Sequence, residues 1–245
     1  MNVFAINGSP KGRSGNTDAM LQPLLHGAAA TGAATETVYL NEKQIQHCRG
    51  CFHCWTKTPG QCVHRDDMAE LLPKLVAAEL VIYATPLYCY TMTGLMKDFF
   101  DRRLPLATPF IAEVNGRFYH PRRFEPDRPQ RTVLLSNCGF PGQYNFSGLI
   151  ETFQVMTQRQ LNGVICCAQG GMLRVPEAGA LLSPYFAALE RAGRELIETG
   201  AIEPATQVIL DRPLLDPQSY QQMVNEHWRS TGAPSPPPTG GNHDY

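Results

Sequence analysis

The stretch "LVIYATPLYCYTMTGLMKDFFDRRL", residues 80–104, joins a strand, a turn and a helix. Residues 80–86 form a continuous apolar run rich in β-forming residues, which is typical of a strand buried on both faces. Residues 92–104 carry apolar residues at helical spacing, with Leu95 and Phe99 on the predicted inner stripe. A doubly buried strand followed by a helix is the repeating unit of a parallel sheet.

The same alternation of strand and helix recurs along the 245 residues of the chain. The predicted strands are residues 2–6, a segment ending at 38–40, and residues 80–86, 132–137 and 163–168. The predicted helices are residues 16–30, 66–79, 92–104, 145–161 and 181–200. Five strands in this pattern predict an α/β fold with a doubly wound five-stranded parallel sheet. Ligands of such sheets bind outside the carboxyl ends of the strands.

Two segments do not follow the alternation. Residues 105–131 are rich in proline and contain an Asn-Gly pair at 115–116 between β-type runs, which predicts an inserted hairpin. Residues 203–231 form a C-terminal extension. The tail 232–245 is too poor in apolar residues to pack, so we predict that it is disordered. The main domain is therefore expected to span residues 1–202.

The composition limits the class of protein. Hydrophobic residues make up 43% and charged residues 18%, as in a globular protein. The formal net charge of −1 gives no field that would recruit nucleic acid or an anionic membrane. No apolar run reaches the ~18 residues that a membrane helix needs. The N-terminus lacks a basic segment followed by a long apolar one, so we expect a cytoplasmic, reducing environment.

The loop "INGSPKGRSGNTDAML", residues 6–21, follows the first predicted strand and opens the first predicted helix. It matches neither G-x-x-x-x-G-K-S/T nor G-x-G-x-x-G. Its side-chain donors are Ser9, Ser14, Asn16 and Thr17, its glycines permit close backbone approach, and the helix N-terminus favours an anion. The alternative is an ordinary capped helix after a flexible turn. The position after strand one favours phosphate binding.

Two further loops reach the same predicted edge of the sheet. The residues that would line it are Leu87, Tyr88, Tyr90 and Met92 in one loop and Gly139, Phe140, Gly142 and Tyr144 in the other. Taken alone, the first of these sets is better explained by packing under the following helix. Three such loops on one edge instead favour a single site for a mononucleotide with a phosphate and a flat ring.

The stretch "HCRGCFHCWTKTPGQCVHRDD", residues 47–67, lies within a cysteine-rich loop predicted over residues 46–64. Its spacing is C-x2-C-x2-C-x7-C, formed by Cys48, Cys51, Cys54 and Cys62. In a reducing compartment this pattern indicates a metal or redox site. Tandem C-x2-C spacing suits an iron–sulfur cluster, whereas structural zinc more often uses two separated pairs. Free thiols or a disulfide are the remaining alternatives.

The position of this loop after the second strand predicts that it lies at the same sheet edge as the ligand. Four more cysteines fall in or beside predicted strands and are expected to be core or loop residues: Cys89, Cys138, Cys166 and Cys167. Of these, Cys89 and Cys138 fall near the predicted ligand loops.

The sequence resembles the flavodoxin-like NADPH-dependent FMN reductases and, within them, the iron–sulfur flavoprotein branch. The similar segments are "NGSPKGRSGNT", "CRGCFHCW", "GQCVHRDDM" and "TPLYCYTMTGLMKDFFDR", which cover about the first 100 residues, with a looser likeness in "NCGFPGQYNF". The resemblance implies the flavodoxin-like strand order 2-1-3-4-5. No resemblance extends beyond about residue 200.

The resemblance also implies FMN as cofactor, residue by residue. The segment that holds the phosphate corresponds to Ser9, Lys11, Ser14, Asn16 and Thr17. The segments that flank the isoalloxazine correspond to Pro86, Leu87, Tyr88 and Tyr90, and more loosely to Asn137, Cys138, Gly139 and Phe140. The ligands of a 4Fe–4S cluster correspond to Cys48, Cys51, Cys54 and Cys62. The family usually carries arginine where this chain has Lys11, and either cation reaches a phosphate.

These features predict an FMN-dependent NAD(P)H oxidoreductase that reduces quinones, flavins or similar small acceptors. The alternative is an iron–sulfur flavoprotein that carries electrons to or from a ferredoxin-like protein, and a third is a nucleotide-binding module with structural zinc. The flavin carries the chemistry, so no catalytic residue is required, although Tyr88 and Tyr90 are candidates for donating to the flavin or a quinone. The resemblance implies a homodimer or homotetramer, and no nucleic-acid or membrane partner is expected.

Overall fold

The computed structural model describes residues 1–124 and 129–234. The predicted disordered tail therefore lies outside the described residues from position 235 onward. The strands are β1 (Asn2–Asn7), β2 (Ala34–Tyr39), β3 (Leu80–Pro86), β4 (Ala112–Val114), β5 (Arg117–Tyr119), β6 (Arg131–Asn137) and β7 (Gly163–Cys167). The α-helices are α1 (Asn16–Ala30), α2 (Met68–Ala77), α3 (Gly94–Asp101), α4 (Ser147–Met156), α5 (Gly179–Glu198), α6 (Pro204–Leu210) and α7 (Pro217–Ser230).

Five strands form one parallel sheet in the order β2-β1-β3-β6-β7. The predicted order 2-1-3-4-5 counts only the strands of this sheet, and the two hairpin strands account for the different labels. Every residue of β3 is buried, as its apolar run predicts. The register pairs Asn7 with Ala84 and Pro86 with Asn137, so the carboxyl ends of β1, β3 and β6 meet at one edge.

Helices cover both faces of the sheet. On one face α1 and α5 pack over a core that includes Leu24, Leu135 and Leu189. On the other face α2, α3 and α4 bury a second core that includes Leu71, Phe99 and many other apolar side chains. Hydrophobic burial on both faces explains why the central strands carry uninterrupted apolar runs.

Several predicted boundaries differ from the observed ones. The second strand is longer than predicted and begins at Ala34. The helix predicted over 92–104 begins only at Gly94, because the Thr93 hydroxyl caps it by accepting from the Met96 amide at 3.2 Å. The helix predicted over 145–161 ends at Met156, since Gln158 and Arg159 take positive φ angles of 53° and 62° that a right-handed helix does not allow.

The segment 105–131 contains a two-stranded antiparallel hairpin, in which Val114 pairs with Arg117. Asn115 and Gly116 have φ angles of 52° and 73°, the positive values that a two-residue hairpin turn requires. The hairpin region leaves large apolar side chains on the surface: Phe110, Ile111 and Phe118, each more than 70% exposed.

The extension 203–231 contains two helices that the sequence pattern does not predict. Leu210 and Tyr220 are buried in the same core as α1 and α5. The Thr206 hydroxyl also donates to the Glu195 carboxylate of α5 at 2.6 Å. The sequence pattern does not indicate these helices because α6 has only seven residues and α7 is largely polar. Across the described ranges, no helix combines the length and apolarity that crossing a membrane demands.

Candidate functional site

The first loop connects β1 to α1 in a compact turn. The Ser9 amide donates to Asn7 Oδ1 at 2.9 Å, and the Ser14 hydroxyl donates to the Lys11 carbonyl at 2.9 Å. Gly12 has a φ of 50°, a conformation that glycine adopts without strain. Gly15 leaves room for Ser9 Oγ, which would lie 2.8 Å from any added β-carbon. These contacts hold the loop folded around the helix N-terminus.

Donors for an anion are present at this N-terminus. Asn16 and Thr17 are the first two residues of α1, where the backbone N–H groups have no carbonyl partner inside the helix. The positive end of the helix dipole lies at the same point. Lys11 is exposed on the loop, and its ammonium has no hydrogen-bond or ion-pair partner within residues 1–124 and 129–234. The predicted phosphate residues therefore lie together.

The acidic residue in this first turn is occupied elsewhere. Asp18 is buried and accepts from the Tyr39 hydroxyl at 2.8 Å and from the Gln22 amide at 3.1 Å. Burial, together with the Asp18 carboxylate, raises the pKa of Tyr39 to about 12. Arg13 stacks over the Tyr39 ring at 4.0 Å and pairs with a surface carboxylate. Because Arg13 already has these two partners, Lys11 is the cation of the first loop that has no partner among the described residues.

Arg174 is a loop-positioning residue that the sequence analysis missed. Its Nε donates to the Gly15 carbonyl at 3.1 Å, and its Nη2 donates to the Arg13 carbonyl at 2.9 Å. Arg174 follows β7, about 160 residues away in sequence, and no local motif marks it. It anchors the first loop from the other end of the fold and adds positive charge beside it.

The second loop is a tight turn after β3. Tyr88 and Thr91 exchange two backbone hydrogen bonds of 2.9 and 3.0 Å. The central residues Cys89 and Tyr90 have φ angles of 47° and 61°, an uncommon conformation for residues other than glycine. The turn holds the rings of Tyr88 and Tyr90 in solvent, where they are 49% and 60% exposed. Strained backbone of this kind concentrates at functional sites.

The third loop follows β6 and faces the second. Phe140 is 54% exposed, and its ring is parallel to that of Tyr90, with an interplanar angle of 3° and centroids 6.3 Å apart. Cys138 has its thiol buried, directed at the Phe140 carbonyl at 3.5 Å, so it contributes backbone rather than a reactive thiol to the loop. Burial raises the pKa of the Cys138 thiol.

Direct hydrogen bonds join the three loops. The Thr93 hydroxyl donates to the Gly8 carbonyl at 2.7 Å, which ties the second loop to the first. The Leu87 amide donates to the Asn137 carbonyl at 2.8 Å, and Asn137 Nδ2 donates to the Thr17 hydroxyl at 2.8 Å. The structure therefore brings the three predicted segments into one rim at the carboxyl edge of the sheet.

The four cysteines of the C-x2-C-x2-C-x7-C motif line one small cavity of about 20 Å³. Cys54 is buried, and burial together with its three neighbouring thiols raises its pKa. All cysteines of the described residues are free thiols. Among those residues, no three His, Cys, Asp or Glu side chains converge closely enough to hold one metal ion. In a four-iron cluster each thiolate binds a different iron, so the four sulfur atoms surround the cluster at a wider spacing than the ligands of a single ion.

A buried ion pair borders this cavity. Arg102 is 1% exposed and donates to both Asp66 oxygens, at 2.6 and 2.9 Å, and to the Gln46 carbonyl at 2.7 Å. Its Nε has no partner among the described residues, and the guanidinium lines the cysteine cavity. Burial tends to raise the pKa of Asp66, but the hydrogen bonds from Arg102 and the Gln46 amide outweigh it and hold that pKa below its usual value.

The position of the cavity corrects one sequence prediction. The cysteine loop was expected at the same edge as the ligand loops, but its cavity lies against residues 101–105, just beyond α3. The second loop precedes α3, so the eight residues of this helix, about 12 Å, separate the two. The reason is tertiary anchoring: Trp55 Nε1 donates to the Leu104 carbonyl at 3.1 Å. This hydrogen bond and those of Arg102 hold the cysteine loop against the C-terminal end of α3.

Known proteins are similar to the N-terminal part of the chain. Residues 1–117 match the family model described as NADPH-dependent FMN reductase. An iron–sulfur flavoprotein of Archaeoglobus fulgidus is 40% identical over 105 residues, which are 43% of this chain and 46% of that protein. An iron–sulfur flavoprotein of Methanocaldococcus jannaschii is 36% identical over 117 residues, 48% of this chain and 58% of that one. The matches thus span about half the length of these relatives.

A solved structure extends the similarity of fold. The chain resembles an FMN-dependent NADH-azoreductase from Bacillus anthracis, solved in complex with FMN, with a TM-score of 0.59. The aligned region covers 80% of this chain and 99% of the azoreductase at 14% identity, so it shows the shared fold alone.

Proposed function

We propose that this protein, whose residues 1–117 match the family model described as NADPH-dependent FMN reductase, binds FMN and uses it to pass electrons from NAD(P)H to a small acceptor such as a quinone or a flavin. The observation that carries the proposal is the rim of three hydrogen-bonded loops at the carboxyl edge of the sheet. Doubly wound sheets bind their ligands at this edge. The same family and site favour an enzyme over a pure nucleotide-binding module.

The first loop is proposed to hold the phosphate. The free backbone amides and the side chains of Asn16 and Thr17 supply donors together with the Ser9 hydroxyl, and the helix dipole favours the negative charge. The Ser14 hydroxyl already donates to the Lys11 carbonyl. Lys11 adds a cation as a point charge, where an arginine would offer a bidentate fork. Its ammonium has no competing acidic partner in the described part of the chain, which leaves it available to the phosphate.

The second and third loops are proposed to hold the isoalloxazine. The residues assigned here are Pro86, Leu87, Tyr88, Tyr90, Asn137, Cys138, Gly139 and Phe140. The rings of Tyr90 and Phe140 are parallel and stacked, with centroids 6.3 Å apart, and their exposed faces offer a flat apolar surface to a ring system. The two rings would have to move apart to admit a flat ring system between them.

FMN, when bound, supplies hydride acceptance from a nicotinamide and electron donation to the acceptor. The chain's own residues bind and orient it. Backbone N–H groups of the second and third loops that have no protein acceptor would favour negative charge on a bound ring. The Tyr88 and Tyr90 hydroxyls are exposed there and can donate to a quinone oxygen. The histidines with observed contacts bond elsewhere, as His47 does with Asp98 at 2.6 Å, so no histidine is assigned a proton-transfer role.

An iron–sulfur electron carrier is the second candidate function. Its supporting observation is the set of four thiols, Cys48, Cys51, Cys54 and Cys62, around one cavity beside a buried arginine. A 4Fe–4S cluster bound by four thiolates carries negative charge, which the Arg102 guanidinium would offset. Such a cluster would let the protein exchange electrons with a ferredoxin-like partner. We also propose a cytoplasmic location, since a reducing compartment keeps such a thiol set available to a metal, and a homodimer or homotetramer, which the exposed apolar hairpin suits.

The FMN assignment is tested by substituting the helix N-terminus. The double variant Asn16→Ala, Thr17→Ala keeps the backbone amides but removes two side-chain donors, the Asn16 carboxamide and the Thr17 hydroxyl. We expect the dissociation constant for FMN to rise by at least about 10- to 100-fold, because even one lost hydrogen bond to a charged group costs about 1.5–3 kcal/mol. Quenching of flavin fluorescence on titration measures it. Thr31→Ala, at the other end of α1, is the matched control and should bind as the parent does. Equal affinity in the double variant and the control would show that the Asn16 and Thr17 side chains do not bind the phosphate.

The cluster assignment is tested by metal analysis under anaerobic conditions. We expect about four iron and four sulfide per chain. Cys51→Ser should lower the iron content while FMN binding persists, since the cavity lies away from the flavin loops. Cys89→Ser removes an exposed thiol outside the motif and should retain the iron. Zinc without iron, or iron that Cys51→Ser leaves in place, contradicts the assignment.

A further inference from the structure

The C-terminal extension reaches the third loop through a buried tyrosine. Tyr220 of α7 is 2% exposed, and its hydroxyl donates to the Gly139 carbonyl at 3.1 Å. The fit around this hydroxyl is close, because a β-carbon added at Gly171 would lie 3.1 Å from it. The hydrogen bond therefore joins a residue far outside the matched family region to the residue that precedes Phe140.

Gln169 makes a second connection between the same two parts. It is fully buried and adopts a φ of 66°, so its backbone turns sharply after β7. Its amide N–H donates to the Phe140 carbonyl at 2.9 Å. Its side chain makes a two-point contact with the extension: Nε2 donates to the Leu215 carbonyl at 2.8 Å, and Oε1 accepts from the Leu215 amide at 2.9 Å.

We propose that Tyr220 and Gln169 are positioning residues for the flavin, and that the extension 203–231 is part of the cofactor site. Between them they hold the carbonyls of Gly139 and Phe140, two consecutive residues of the third loop. Fixing these two carbonyls fixes the backbone from which the Phe140 ring projects, parallel to Tyr90. The inference rests on the proposed FMN site and adds a determinant from a segment that lies outside residues 1–117.

The arrangement favours positioning over direct contact with the ligand. Tyr220 is covered by the loop that it holds, so its hydroxyl acts through Gly139 rather than on the flavin. If the third loop moved freely, FMN binding would have to order it, and the entropy cost of that ordering would weaken the affinity. Preordering by the extension removes this loss. The removal of one hydroxyl should therefore appear in flavin affinity and in the environment of the ring.

The test is FMN titration of full-length Tyr220→Phe, with the visible absorption spectrum of the bound flavin recorded. We expect the dissociation constant to rise by about 3- to 10-fold, the effect of one hydrogen bond. We also expect the visible absorption bands of bound FMN to shift, because the Phe140 ring is displaced. A role confined to stability would move neither quantity in protein that remains folded, which a circular-dichroism melt verifies.

Tyr185→Phe is the matched control. Tyr185 is buried in the same core cluster as Tyr220, but its hydroxyl faces the Cys167 thiol. It should bind FMN with parental affinity and spectrum. If Tyr220→Phe behaves like Tyr185→Phe while the parent binds FMN, the positioning role is wrong and the FMN site stands. If the parent binds no FMN, the proposed function and this inference fail together.

Discussion

Replacement of Asp66 by alanine is expected to lower the free energy of unfolding by about 3–5 kcal/mol. The substitution leaves the Arg102 guanidinium buried at 1% exposure without its carboxylate partner, and the desolvation cost of that charge is no longer offset. It also removes two short hydrogen bonds from Arg102 and the hydrogen bond that the Met68 amide, at the start of α2, donates to the Asp66 carboxylate. Equilibrium unfolding in urea measures the change.

The matched control is an exposed ion pair. Glu151 and Arg159 lie 2.7 Å apart, and each side chain is about half exposed. Glu151→Gln should cost only about 0–1 kcal/mol, since water screens the pair. A loss in Asp66→Ala no larger than that in Glu151→Gln would show that the buried pair contributes little to the fold.

The contribution of Asp66 is expected to depend on pH. Its pKa in the folded protein is lowered, so the native state favours the charged carboxylate. The stabilisation is therefore fully present above the unfolded-state pKa of ~3.9 and is lost as the pH falls through the lower folded-state pKa. The difference in unfolding free energy between the parent and Asp66→Asn should shrink below about pH 4. A difference that stays constant down to acid unfolding would contradict the assignment.

Replacement of Gly193 by alanine is expected to cost about 3 kcal/mol or more, at the upper end of overpacking effects. A β-carbon there would lie 2.0 Å from the Leu24 carbonyl oxygen, and one at Gly27 would lie 1.8 Å from that of Glu190. Helices α1 and α5 thus meet backbone to backbone, and neither neighbour is a side chain that can rotate away. The helices must separate, which displaces α1 and the proposed phosphate amides at its N-terminus. Urea unfolding and FMN titration both report the change.

Gly179→Ala provides the control within the same helix. Gly179 is the first residue of α5, and an added β-carbon there meets no atom within 4 Å. Alanine should be neutral or stabilise by up to about 1 kcal/mol through the unfolded chain. If Gly193→Ala is as stable as Gly179→Ala, the helices do not pack as closely as described.

Local pattern accounts for much of the fold. The apolar run of β3 predicted a strand buried on both faces, and the predicted bounds of α1 coincide with the observed ones. The Asn-Gly pair at 115–116 lies in a hairpin turn. Because parallel strands present their carboxyl ends at one edge, the three ligand loops could also be placed together from sequence. Hydrophobic periodicity and turn-forming residues are local properties, so they can be read from a single sequence.

Contacts between distant residues were decided only by the tertiary structure. Arg102 and Asp66, Arg174 and Gly15, and Tyr220 and Gly139 are separated by between 36 and 159 residues, and nothing local marks them as partners. The cysteine motif was evident from its spacing, but its place beside α3 depends on Trp55 and Arg102. The sequence determined which chemical groups each loop carries. Packing determined which of them meet, because burial and register select partners by position in space rather than by distance along the chain.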